Sequence, residues 1–150
     1  MKRTVLTMMT LGVFSVNAQS VKPTNVYPTN LAENMYYENF NPATNMVEGI
    51  YFLVLSDGEN SQDRTPAFEV AIYLLPEGST SREDVIIAKS YKLDGIFHMG
   101  SHEFKAEKLN LNDVSGLVPG SYRMGLWVNH TESFDENRDD NAAMFQGALS

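Results

Sequence analysis

Between residues 46 and 149 the chain alternates short apolar runs with turn residues, a spacing that predicts strands. "MVEGIYFLVLSDG" reads as a strand over 46–55, ended by Asp57 and Gly58. In "AFEVAIYLLPEG", Phe68, Val70, Ile72 and Leu74 fall on one side of a pleated strand that Pro76 and Gly78 close. "DVIIAKSYKL" and "HEFKAEKLNL" supply two more, the second alternating imperfectly through Phe104, Ala106 and Leu109. "GSYRMGLWVNH" sets Tyr122, Met124, Leu126 and Val128 on one face and Arg123, Gly125, Trp127 and Asn129 on the other, and "AAMFQGAL" ends the chain. About six or seven strands without a sustained helical period predict an all-β fold, with two antiparallel sheets packed face to face.

Upstream the pattern changes twice. "MKRTVLTMMTLGVFSVNAQS" opens with Lys2 and Arg3, runs through an apolar segment over 5–16 and reaches small or polar residues at Asn17 and Ala18. That is the layout of a secretory signal peptide, 1–18, with cleavage after Ala18. Its apolar core, interrupted by Gly12 and Ser15, falls short of the roughly 20 residues a spanning helix needs. Residues 19–45 are rich in Pro, Asn and Thr and read as an extended leader, in which Pro23, Pro28 and Pro42 oppose a helix. Tyr36, Tyr37 and Phe40 offer aromatic anchors, and "LAENMYYENF" fits a short helix or an edge strand. The sandwich domain is then expected over 46–150.

Removing 1–18 leaves 9 basic residues against 19 acidic, a formal charge of −10 where the whole chain carries −8. Such a surface repels phosphate backbones and anionic membranes, so neither nucleic acid nor membrane insertion after signal removal is expected. With no cysteine, the fold is held by its core without disulfides. Export without disulfides leans towards a bacterial protein in the periplasm, on the cell surface or outside the cell.

Three stretches resemble the bacterial CARDB family, a cell-adhesion-related domain. "FLVLSDGENSQDRTPAFEVAIYLLPEG" is similar to the family's first hairpin. "GLVPGSYRMGLWVNH" resembles its G-x-Y strand through Pro119, Gly120 and Tyr122, and "DENRDDN" its E-x-N-E-x-N-N turn before the last strand. Asn129 stands where the pattern has a strand-terminal Asp, and the final Asn pair is reduced to Asn141 followed by Ala142. The resemblance implies an immunoglobulin-like antiparallel β-sandwich of about seven strands, used as an extracellular module.

Candidate chemistry concentrates in two places. Asp135, Glu136, Asp139, Asp140 and Asn141 supply the oxygen ligands that calcium prefers, without the EF-hand spacing. A solvated turn fixed by side-chain hydrogen bonds explains the same residues and is the preferred reading. A second acidic stretch, Asp57 to Asp63, raises the calcium reading only if it approaches the first. Trp127, with Arg123 on the same strand face, is a candidate contact for a protein partner or a cell-surface glycan. Packing of Trp127 beneath Tyr36 or Tyr37 of the leader is the competing and slightly favoured reading.

His98, His102 and His130 lack the spacing of a closed zinc site. No nucleophile elbow, His-Glu-x-x-His or catalytic cysteine occurs in the chain. The expectation is therefore an exported, non-enzymatic binding or structural module mediating adhesion-like protein or surface contact. A calcium-stabilised adhesive domain using the 135–141 turn, and a small secreted carbohydrate-binding protein, are the alternatives.

Overall fold

The computed structural model describes residues 25–29, 31–131 and 140–150. The segment read as a signal peptide lies outside the described residues. Among those described, eight strands form two antiparallel sheets: β1 (Asn25–Pro28), β2 (Tyr36–Asn41), β3 (Met46–Asp57), β4 (Phe68–Pro76), β5 (Ile86–Leu93), β6 (Ser101–Asn110), β7 (Tyr122–Val128) and β8 (Ala142–Met144).

In the first sheet β6 runs along one side of β3, while β1 and β2 follow one another along the other. The second sheet has the order β5-β4-β7-β8. β1 and β2 together fill one lane, so the sandwich has seven lanes of immunoglobulin-like type. Pro28 stands opposite Val54 and Tyr36 opposite Tyr51, and between them the chain leaves the ladder through a single 3-10 turn, Ala32–Asn34. Part of the stretch read as a leader is thus an edge strand, where the missing N–H of Pro28 is tolerated. "LAENMYYENF" contains both elements that its sequence allowed.

The core follows from alternation. Val26, Ile50, Phe52, Val54, Phe68, Val70, Ile72, Leu74, Met124, Leu126 and Val128 are buried between the sheets. Phe52 stacks on Phe104 with ring centroids 4.3 Å apart and meets Tyr91 and Phe145 edge-on. Tyr122, at the start of β7, donates its hydroxyl hydrogen to the carbonyl of Val118 at 2.6 Å. This tie to a backbone oxygen just upstream is the tyrosine corner of immunoglobulin-like sandwiches.

One bulge on β6 explains its imperfect period, and a second lies on its partner β3. Phe104 and Leu109 are an odd number of residues apart, yet both are buried. The pairing shifts between Ile50 and Phe52, where Ala106 takes φ +53°, and between Val47 and Ile50, where Gly49 takes φ +66°. Each extra residue resets which side faces the core. Alanine in this left-handed region is strained by about 1–2 kcal/mol, which glycine avoids at the expense of a freer unfolded chain. Ala106→Gly is therefore expected to raise Tm by about 2–4 °C, a net gain of about 0.5–1 kcal/mol. A drop in Tm on thermal unfolding would show that residue 106 does not occupy the bulge.

On the β5/β6 side of the sandwich, Lys89 donates to the carbonyl of Lys108 at 3.1 Å and lies 3.9 Å from Glu107. Lysines on these two edge strands oppose the addition of a further strand. Among the described residues no helix is long and apolar enough to cross a membrane.

Candidate functional site

The outer face of the β5-β4-β7-β8 sheet carries the first candidate. Because Leu126 and Val128 point inward, Trp127 points outward, and its register neighbours are Ala71 on β4 and Ala142 on β8. Ala71 is itself fully buried, and Trp127 is half-buried. The guanidinium of Arg82 lies 4.6 Å from the centroid of the Trp127 ring. It comes from the 3-10 turn Arg82–Asp84, which Ser81 caps by accepting from the Glu83 N–H. Tyr73 meets Trp127 edge-on at 6.4 Å and His130 lies at 5.9 Å, with Glu69 3.7 Å from the His130 ring.

Tyr73 lies over Gly125, whose missing side chain makes room for the ring. Burial pushes the Tyr73 hydroxyl above its ordinary pKa, and nearby Arg123 opposes the shift. Arg123 is exposed and stands on the same strand face as Trp127. The cover expected from the leader is absent: Tyr36 stacks on Tyr51 and Tyr37 meets Phe145. Arg82 takes that place.

The second candidate lies where β7 ends and β8 begins. Asn25, at the start of β1, donates from Nδ2 to Oδ2 of Asp140 at 2.7 Å. Asn25 also stands opposite Asp57, which accepts from the Tyr27 hydroxyl at 3.1 Å. Burial first, then Asp57 and Asp140, raises the Tyr27 hydroxyl above its ordinary pKa. Asp57 and Asp140, one from each acidic stretch, thus flank the same strand.

Asn129 is fully buried at φ +51°, its N–H donating to the Glu69 carbonyl. Asn141 is 2% exposed and accepts from the Val128 N–H at 2.7 Å. Neither side-chain polar atom of Asn129 or Asn141 has a hydrogen-bond partner, nor has Oδ1 of Asn25. Asp135, Glu136 and Asp139 lie outside the described residues. Among the described residues no three His, Cys, Asp or Glu side chains lie together, so the three histidines share no site.

At the end of the sandwich where β3 begins, a groove of about 490 Å³ is lined by Phe40, Leu111, Val114, Leu117, Val118 and Tyr122, among others. It offers apolar contact.

Sequence reasoning reached Trp127, Arg123, Asp140 and Asn141, and missed Arg82, Tyr73 and Asn25. Tyr73 was signalled by the outward phase of β4. Arg82 and Asn25 had no sequence signal, because the turn and the pairing that place them are tertiary.

The fold is an immunoglobulin-like β-sandwich, with its candidate groups on one sheet face and at one end. No family model matches the chain, and no curated protein matches it. Among solved structures, one that this chain is similar to is the CARDB domain of the PF1109 protein from Pyrococcus furiosus, in complex with di-metal ions. That structure is similar to this chain at 13% identity and a TM-score of 0.45, over 87% of this chain and 91% of its own. The fold assignment rests on the strand order and pairing.

Proposed function

We propose that this protein is an exported, non-enzymatic binding module of bacterial cell-surface or periplasmic type, which holds a protein partner on the outer face of the β5-β4-β7-β8 sheet. The observation that carries the reading is Trp127 between two alanines, with Arg82 against its ring and Arg123 exposed on the same strand. Trp, Tyr and Arg are the residues most often responsible for binding energy at protein interfaces. The guanidiniums favour an acidic partner segment. An indole face also suits a sugar ring, which makes a cell-surface glycan the second occupant to test.

The experiment is binding of the labelled chain to cells of the producing bacterium, before and after surface proteolysis or periodate oxidation. Protease is expected to abolish binding and periodate to leave it. Trp127→Ala is expected to weaken binding by about 30-fold or more, since such anchors contribute about 2 kcal/mol or more. Loss on periodate treatment alone would turn the assignment to a glycan. Undiminished binding by Trp127→Ala and Arg123→Ala would remove this face from consideration.

A further inference from the structure

We infer that Asn25, Asn129, Asp140 and Asn141 form a calcium site that clamps the first strand to the β7–β8 end of the facing sheet. The inference is independent of the partner face, since none of these four residues touches Trp127 in the contacts described above.

The argument starts from hydrogen-bond accounting. Buried amides are expected to be satisfied, and a native core leaves few exceptions. Here most of the exceptions fall at one end of the sandwich: Oδ1 of Asn25 and the side chains of Asn129 and Asn141 have no protein partner, whereas Tyr91 Oη and His98 Nδ1 lie elsewhere. Asn129 and Asn141 are 0% and 2% exposed, so bulk water does not supply the missing bonds.

The strand ladder holds the group together. The Val128 N–H donates to the Asn141 carbonyl, which sets Asn129 and Asp140 at the adjoining ends of β7 and β8. Asn25 reaches the same end through its 2.7 Å bond to Asp140. Three amide oxygens and a carboxylate are hard oxygen donors, the class that calcium takes in sets of six to eight with backbone carbonyls and water. Magnesium is a poorer fit, because it demands near-ideal octahedral geometry and gives up its waters reluctantly.

The electrostatics point the same way. Asp57 and Asp140 stand on either side of β1, and both act on the Tyr27 hydroxyl. Two carboxylates beside one strand, in a chain of net charge −8, concentrate cations at this end. A bound ion would join residues that are 115 positions apart in the chain, which gives an edge strand a fixed seat on the opposite sheet.

The test is a thermal melt of the purified chain in chelator, in calcium chloride and in magnesium chloride, with isothermal titration of calcium. At about 100 times the dissociation constant, calcium is expected to raise Tm by about 10 °C. Asp140→Asn, which keeps shape and removes the charge, is expected to lose most of the shift, and Asn25→Ala to reduce it. A parent chain that shows neither heat nor a Tm change with calcium overturns the site whether or not the variants fold. A full shift retained in both variants overturns it as well, because the ion then sits elsewhere. An equal shift with magnesium overturns the assignment of calcium.

Discussion

A chain shortened to residues 46–150 is expected to lose most of its folding stability. Read along the sequence, residue 46 looks like the start of the domain, since the apolar alternation begins there. In the folded chain Val26 and Met35 are buried at 0% and 3% exposure, and Tyr37 and Phe40 pack against the same core. Full burial of one such side chain is worth about 1.5–3 kcal/mol. Removing two fully buried and two partly buried residues therefore forfeits about 6 kcal/mol or more, against a total of about 5–15 kcal/mol for a domain.

The same truncation uncovers one side of β3, whose N–H and C=O groups from Met46 to Asp57 pair with β1 and β2. An uncovered edge of that length invites pairing with another chain. Urea unfolding of residues 19–150 and 46–150, together with gel filtration, checks both parts. The shorter chain is expected to show a strongly lowered midpoint or to aggregate. An unchanged midpoint with a monomeric elution would mean that β1 and β2 are dispensable to the sandwich.

Which features were legible depended on how much of each element is buried. β4 and β7 bury a full face, so Phe68 to Leu74 and Tyr122 to Val128 declare their phase by simple alternation. The edge lane does not, because β2 turns most of its residues outward and β1 spans only Asn25–Pro28. Its Asn, Pro and Thr content then looks like a leader. β6 was blurred for a different reason: the bulge at Ala106 breaks the period of two from which strands are read.

The candidate groups divide along the same line. Trp127 was legible as an outward residue because strand phase decides it. Its contact with Arg82 was not, since Arg82 sits in a turn whose position depends on the strands around it. Asn25 and Asp140 meet only because β1 of one sheet lies close to β7 and β8 of the other.

Phe52→Ala is expected to lower stability by about 3–5 kcal/mol, the range for removing a buried phenylalanine ring and leaving its cavity. Phe52 is fully buried on the central strand of the first sheet. Its ring stacks on Phe104 of the neighbouring strand and meets two rings of the facing sheet edge-on: Tyr91 on β5 at 6.0 Å and Phe145 just after β8 at 6.5 Å. β5 and β8 are the two outer strands of that sheet, so one ring ties both of its margins to β3. The neighbouring rings do not close the gap easily, because Phe104 and Tyr91 are held by their own strands and Phe145 by its N–H donating to the Met124 carbonyl.

The expected signature in urea is a lower midpoint at an unchanged slope, since the surface exposed on unfolding stays nearly the same. A loss below about 1.5 kcal/mol would be typical of a well-repacked swap, and would mean that the sheets do not meet through this ring. The variant also separates fold from function. Trp127 lies on the outer side of β7, and the three rings that Phe52 meets all belong to the core or pack against it. Below its melting temperature Phe52→Ala is therefore expected to bind the surface partner as the parent does, whereas Trp127→Ala is expected to fold and bind more weakly. A weakened partner affinity in folded Phe52→Ala would show that the outer face depends on β8 being held through Phe145.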